Sequence, residues 1–102
     1  MKIRLTEDAR AEFDNEFGYL LLRSPTAAES FLEDVEEAKA LLQQHPGIGS
    51  PLARQVRKLR LNRHRLDLIY RVEGDIIHIY AIAPHKKKPG YWRKRIGRLP
   101  PP

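Results

Sequence analysis

The chain is 102 residues long, a length typical of one domain, so we predict a single domain over residues 1–102 and exclude a second hydrophobic core. It contains no cysteine, which excludes disulfide bonds and thiolate metal sites and favours a cytoplasmic protein. No apolar run reaches the roughly 18 residues of a membrane-spanning helix, so no membrane association is expected.

The formal net charge of +6 is distributed unevenly along the chain. Residues 1–50 contain five Lys and Arg against ten Asp and Glu, a net charge of −5, whereas residues 51–102 contain fourteen against three, a net charge of +11. Such a separation predicts a polyanionic partner for the C-terminal half, either nucleic acid or an acidic protein. The alternative is a basic surface without a specific partner.

The chain begins with a predicted strand and a predicted helix. Polar and apolar residues alternate over residues 2–5, which indicates a strand, and Thr6 is a suitable N-cap for the helix that follows. Glu12 and Glu16 are expected on the solvated face of that helix. Its apolar stripe is predicted to consist of Ala9, Phe13, Phe17 and either Leu20 or Leu21.

A second helix follows after a short break. Ser24 as N-cap before Pro25, or Thr26 with Glu29 as a capping box, is predicted to begin it. The break is short enough for an antiparallel helical hairpin. The predicted buried stripe consists of Ala28, Phe31, Leu32, Val35, Ala38 and Leu42.

The second half of the chain has the period of strands. Residues 45–51 are rich in Pro and Gly and are predicted to form a loop. Alternating segments at 57–61 and 66–72 and an apolar segment at 76–83 predict three strands, the last of them inside the sheet. Pro89 is predicted to open a short helix that docks Trp92 and Ile96, and residues 100–102 are predicted to be a frayed tail.

We therefore predict an α+β fold of order β-α-α-β-β-β plus a short C-terminal helix. In it, the helical hairpin packs on one face of a small antiparallel sheet. The other face is predicted to be an open basic groove, since Lys58 and Arg60 share it, as do Asp67, Ile69 and Arg71.

Three stretches carry a resemblance to a known family: His45-Pro46-Gly47-Ile48-Gly49, residues 66–75 and residues 81–92. With the order of elements, they resemble the RelE/ParE superfamily of type II toxin-antitoxin toxins over nearly the whole chain. The resemblance implies a toxin that is paired with an antitoxin from an adjacent gene. RelE-like members cut mRNA in the ribosomal A site without a metal, and ParE-like members poison DNA gyrase.

The resemblance to RelE-like nucleases implies a catalytic set of Lys58, Arg60, His85 and Tyr91. His85 is the implied base, with an exposed loop residue as the alternative, and Tyr91 either transfers protons, stacks on a base or packs beside Trp92. Further basic residues are implied to bind RNA: Arg65, Arg71, Lys86, Lys87, Lys88, Arg93 and Arg95. Asp67 departs from the pattern, because it lies near the position where those nucleases have an arginine.

Our first hypothesis is therefore a ribosome-dependent mRNA endoribonuclease toxin that inhibits translation and needs neither a metal nor another cofactor. Its expected partners are the cognate antitoxin, the ribosome and mRNA. Asp67 favours the alternative, a non-enzymatic ParE-like inhibitor of DNA gyrase. A third possibility is a basic module that binds its antitoxin and operator DNA without toxicity.

Overall fold

The computed structural model describes residues 1–52 and 54–97. The predicted tail at 100–102 lies outside the described residues. The elements in chain order are β1 (Lys2–Leu5), α1 (Glu7–Arg23), α2 (Pro25–Gln44), β2 (Ser50–Pro51), β3 (Arg57–Arg60), β4 (Leu66–Glu73), β5 (Ile76–Pro84) and α3 (Arg93–Gly97). No helix in this part of the chain is both long and apolar enough to cross a bilayer.

The five strands form one sheet in the order β1-β5-β4-β3-β2. The predicted α+β class and element order are confirmed, as is the internal position of β5. The sheet is mixed rather than wholly antiparallel, because β1 pairs in parallel with β5. The last two residues of the predicted 45–51 loop form β2, which pairs only with Arg57 and Lys58.

Local signals at the helix starts are confirmed. The Thr6 hydroxyl accepts a hydrogen bond from the Ala9 backbone N–H at 3.2 Å, and the Ser24 hydroxyl accepts one from the Ala27 N–H at the same distance. Pro25 is the first residue of α2, so the first of the two predicted caps is the one used. The short C-terminal helix begins at Arg93 rather than Pro89, because Gly90 has a φ of +78°, which a helix cannot include.

The main hydrophobic core lies between the helical hairpin and one face of the sheet. The predicted stripe of α2 is buried with one exception: Leu32 is 40% exposed, and Asp34 is buried instead. Placing Leu32 in the core was therefore wrong. Asp34 lies two positions after Leu32 in α2, and the buried face of the helix includes Asp34 and not Leu32. The core must therefore accommodate a carboxylate.

A second, smaller core lies on the opposite face of the sheet, so the expectation of one hydrophobic core was wrong, and this core covers part of the face that was predicted to be an open groove. Ile69 and Tyr80 are buried there beneath Trp92 and Ile96 from the C-terminal segment. The docking predicted for Trp92 and Ile96 is confirmed. Because β4 and β5 present apolar side chains to both faces, leaving this face bare would expose them to water, and the C-terminal segment covers them.

Candidate functional site

Several of the residues predicted to form the site, Arg65 and His85 among them, meet at one end of the sheet. The turn between β3 and β4 and the segment after β5 meet there, joined by a hydrogen bond from the His85 backbone N–H to the Arg65 carbonyl at 3.0 Å. This bond extends the antiparallel ladder of β4 and β5 by one step beyond Leu66 and Pro84. Residues far apart in sequence are thereby brought to one surface.

Asp67 is the centre of the charged contacts in this region. His85 Nε2 lies 3.0 Å from Asp67 Oδ1, and Arg60 Nε lies 3.9 Å from the same oxygen. The Asp67 side chain is only 13% exposed, so its charge is offset by these neighbours more than by water. Where RelE-like nucleases are expected to have a cation, this chain has an anion that fixes the orientation of an imidazole.

An open cleft of about 260 Å³ lies beside this pair. It brings together three of the four predicted catalytic residues, namely Lys58, His85 and Tyr91, with Lys87 and Arg93 also in its wall. Arg60 does not line this cleft and faces a neighbouring one with Arg65. We call the first of these the Tyr91 cleft.

The Tyr91 hydroxyl is bound to the protein itself. It donates a hydrogen bond to Glu12 Oε2 at 2.6 Å, and the Arg95 guanidinium makes two bonds to the same carboxylate, at 2.8 and 3.0 Å. Burial, together with the Glu12 charge, raises the pKa of the Tyr91 hydroxyl well above its ordinary value of 10.0. We call Glu12, Tyr91 and Arg95 the Glu12 clasp.

The Glu12 clasp also makes hydrogen bonds to the backbone of the sheet. Glu12 Oε1 accepts the Ile82 backbone N–H at 3.0 Å, and the Tyr80 carbonyl accepts a bond from Arg95 at 3.1 Å. Tyr80 lies at a register shift between β4 and β5, so its carbonyl is available to Arg95. The clasp thus fastens the C-terminal segment to both α1 and β5.

The prediction that Glu12 faces water was wrong. Its side chain is only 13% exposed. A signal for this burial exists in the sequence, because Glu12 lies three residues after Ala9 and next to Phe13, at the edge of the apolar stripe. Its partners are about 70 to 83 positions away in sequence, so no local pattern identifies them.

Arg71, predicted to bind RNA, is buried. It is 3% exposed, its Nε donates to Glu73 Oε1 at 2.9 Å, and its guanidinium lies over the Tyr80 ring at 5.7 Å. The hydrogen bond from Arg71 lowers the pKa of the Glu73 carboxyl. Arg71 therefore stabilises the second core and is not presented to a ligand.

Arg95, also predicted to bind RNA, is mostly buried, and its guanidinium is bound to Glu12. The remaining predicted RNA-binding residues lie at the surface. Lys87 covers the Tyr91 ring at 4.8 Å and Arg93 covers the Trp92 ring at 5.3 Å, both as cation–π contacts. Arg65, Lys86 and Lys88 are exposed. Within residues 1–52 and 54–97, no three His, Asp or Glu side chains are grouped as ligands of a metal would be.

Asp34, which was not predicted as a site residue, lies directly beneath the β3–β4 turn. Its buried carboxylate accepts the backbone N–H groups of Asn62 and Arg63 at 3.1 and 2.9 Å and lies 2.9 Å from His64 Nδ1. Burial alone would raise the pKa of Asp34, but these three hydrogen bonds outweigh it and lower the pKa. Asp34 thereby fixes the turn that carries Arg63, His64 and Arg65.

Comparison with known proteins is consistent with this architecture. The model of a family described as the ParE toxin of a type II toxin-antitoxin system, parDE, matches residues 3–97. A solved structure described as a chromosomal ParDE toxin-antitoxin system from P. aeruginosa is similar, with 30% identity and a TM-score of 0.71, covering 82% of this chain and 95% of that one. None of the curated proteins compared with the chain matches it.

Proposed function

Since the chain belongs to the ParE toxin family of type II toxin-antitoxin systems, we propose that it arrests growth by inhibiting DNA gyrase and has no catalytic chemistry of its own. A toxin of a type II system has a cognate antitoxin, which is its first partner. Gyrase is the target that the resemblance to ParE-like members implies. Toxicity would then result from binding to gyrase and not from RNA cleavage.

The observation that carries this proposal is the hydrogen bond from Tyr91 to Glu12. A tyrosine that takes part in proton transfer must present its hydroxyl to the substrate, but the Tyr91 hydroxyl is held 2.6 Å from a carboxylate of α1. Its raised pKa also makes it a poorer acid. Asp67 supports the same conclusion, because an anion beside the scissile phosphate would oppose the negative charge of the transition state.

One observation favours mRNA cleavage as the second candidate. His85 lines the Tyr91 cleft with Lys58 and Lys87, and Asp67 fixes one of its ring nitrogens. A carboxylate-bound imidazole can accept the proton of a 2′-hydroxyl, and lysines can stabilise the phosphorane. This candidate depends on His85, whereas gyrase inhibition does not require a proton acceptor.

The decisive experiment uses two purified assays with the same toxin preparation. In the first, gyrase and supercoiled plasmid are incubated with toxin, and we expect accumulation of gyrase-linked, cleaved DNA. In the second, a translation extract is programmed with a defined message, and we expect the message to remain intact. Message cut at the ribosomal A site with unaffected gyrase would overturn the proposal.

His85→Ala provides a matched comparison between the two candidates. Gyrase inhibition should be retained in this variant, whereas RNA cleavage by an imidazole base would be lost. Expression without the antitoxin gives the complementary measurement in cells: DNA breaks and an SOS response should precede any fall in translation. Normal growth of those cells would point to the third possibility, a basic module without toxicity.

A further inference from the structure

A second cleft, which adjoins the Tyr91 cleft and shares His85 with it, lies where the β3–β4 turn meets the residues that follow β5. Its volume is about 370 Å³, and its wall includes His64, Arg65, His85 and Lys86. A shallower extension of about 490 Å³ shares His64, Arg65 and His85 and adds Arg60 and Arg63. We call the combined surface the turn cleft.

Two histidines in the turn cleft are each held by a carboxylate through one ring nitrogen. His64 Nδ1 lies 2.9 Å from Asp34 Oδ2, and His85 Nε2 lies 3.0 Å from Asp67 Oδ1. Within the described part of the chain, the second nitrogen of each ring has no hydrogen-bond partner. Since a carboxylate accepts from the first nitrogen, each ring is oriented and has one nitrogen left for a ligand.

The charges around the turn cleft are predominantly positive. Arg65 and Lys86 are exposed, and neither makes a side-chain hydrogen bond or ion pair with any of the described residues. Arg63 is bound to Glu37 on α2 at 2.9 Å, so its charge is partly offset. Among the cleft-lining residues the one carboxylate is Glu16 of α1.

We infer that the turn cleft binds the phosphodiester backbone of nucleic acid. A phosphate has several acceptor oxygens, which match the guanidinium of Arg65, the ammonium of Lys86 and the protonated nitrogens of two oriented imidazoles. With respect to DNA, the inference rests on the proposed function, because a gyrase inhibitor acts on an enzyme that holds duplex DNA. The turn cleft would then contact that DNA while other surfaces contact gyrase.

The composition of the turn cleft favours nucleic acid over an acidic protein segment. Protein partners are anchored by apolar side chains that fill pockets. The leucines of the turn cleft, Leu61 and Leu66, are buried in the main core and are at most 4% exposed. Neither leucine is therefore exposed enough to anchor a protein partner, and the side chains that a ligand can reach include those of His64, Arg65, His85 and Lys86.

The histidines make the binding dependent on pH, unlike binding by arginine and lysine alone. Both ring nitrogens of a protonated imidazole donate, so protonation turns the second ring nitrogen from acceptor into donor. The charged groups that face the two histidines are Asp34, Asp67, Glu16, Arg60, Arg63, Arg65 and Lys86, and on the Tyr91-cleft side of His85 also Lys58, Lys87, Lys88 and Arg93. We expect affinity for a phosphodiester to be higher at pH 6 than at pH 8.

The test measures binding of short fluorescently labelled probes to the full chain by anisotropy. The probes are a duplex DNA and an RNA strand of the same sequence. Combining Arg65→Gln and Lys86→Gln should weaken binding about tenfold or more and flatten the salt dependence. The control combines Lys2→Gln and Arg4→Gln, which removes the same charges from β1, where Lys2 pairs with Ile76 at the opposite end of β5 from Pro84. Binding by the control should be within about twofold of the parent.

A second pair of substitutions tests the histidines without disturbing their carboxylates. His64→Asn keeps a donor near the position of Nδ1 for Asp34, and His85→Gln keeps one near the position of Nε2 for Asp67. The combined variant should bind the probe at pH 8 as the parent does and should lose the gain at pH 6. If the variant still binds the probe more tightly at pH 6 than at pH 8, the histidines are not part of the binding site.

The outcomes separate this inference from the proposed function. If the Lys2 and Arg4 control weakens binding as much as the turn-cleft variant, the attraction is diffuse and the inference is overturned. If neither probe binds while gyrase is still inhibited, the inference fails and the proposed function stands. If the RNA strand binds and the duplex does not, the inference is supported and gyrase inhibition loses support.

Discussion

At the scale of single residues, two buried carboxylates organise the functional end of the molecule. Asp34 fixes the β3–β4 turn from α2, and Glu12 fastens the C-terminal segment from α1. Both belong to helices whose acidic residues look like ordinary solvated charges in the sequence. Burying a carboxylate costs free energy unless several donors surround it, and each of these has at least three.

The Asp34→Asn variant should be less stable than the parent by about 2 kcal/mol at pH 7. The amide keeps the shape of the side chain but removes the charge and one of two acceptor oxygens, so a donor of the β3–β4 turn loses its partner. Urea unfolding monitored by circular dichroism measures the difference. If the variant is as stable as the parent, water takes the place of the lost carboxylate oxygen as the partner of that donor.

The same variant tests the pH dependence that the lowered pKa of Asp34 implies. A carboxyl whose pKa is lower in the folded state contributes stability above its ordinary value of 3.8 and loses it as the pH falls through the folded value. The stability difference between parent and Asp34→Asn should therefore shrink as the pH falls below about 4. A difference that stays constant down to pH 2 would contradict the assigned direction.

At the scale of elements, local sequence predicted the fold well and the covering of the sheet poorly. Thr6, Ser24 and the alternation around Leu68 are signals within a few residues, and the elements they predict are present. The open groove was expected because strand alternation reports which residues share a face, not what lies above it. Trp92 and Ile96 were predicted to dock, but the carboxylate that accepts hydrogen bonds from the neighbouring Tyr91 and Arg95 belongs to Glu12, about 80 positions earlier in the chain.

Glu12→Gln should loosen the C-terminal segment and lower the free energy of unfolding by roughly 3 kcal/mol. The substitution removes the nearer of the two carboxylates beside the mostly buried Arg95 charge, leaving Asp8 at 3.7 Å, and points an amide donor at other donors. Trp92 is the sole tryptophan, so a red shift of its emission reports exposure of this segment directly. Tyr91→Phe, which removes one hydrogen bond and keeps the ion pair, should cost about 1 kcal/mol.

Asp14→Asn is the matched control for Glu12→Gln, since Asp14 is an exposed acid of the same helix. Its effect on stability should be within about 0.5 kcal/mol. A Glu12→Gln variant with parental stability and an unchanged emission maximum would show that the Glu12 clasp contributes nothing to docking.

At the scale of the whole molecule, the separation of charge predicts how the antitoxin is captured. The C-terminal half carries a net charge of +11, so we expect the binding segment of the antitoxin to be acidic and steered by the field of the toxin. Association should slow steeply as salt rises to physiological strength, where the screening length is about 8 Å. Dissociation should change little, because apolar contacts determine it.

Stopped-flow measurement of both rates across a salt series checks this expectation. A toxin with Lys87→Gln and Lys88→Gln should associate more slowly and show a weaker salt dependence, whereas its dissociation rate should match the parent. An association rate that does not vary with salt would contradict electrostatic steering. It would indicate that the basic surface binds nucleic acid and not the antitoxin.

The parallel pairing of β1 with β5 has a consequence for how the protein is made. Lys2–Leu5 is translated before its pairing partners, Ile76 to Ile79, which belong to the last strand of the sheet. The helical hairpin relies on local contacts and can form early, whereas the complete sheet must wait for β5. A chain interrupted before β5 has neither the complete sheet nor the turn cleft, so synthesis yields an active toxin only after β5 and the residues that follow it have been translated.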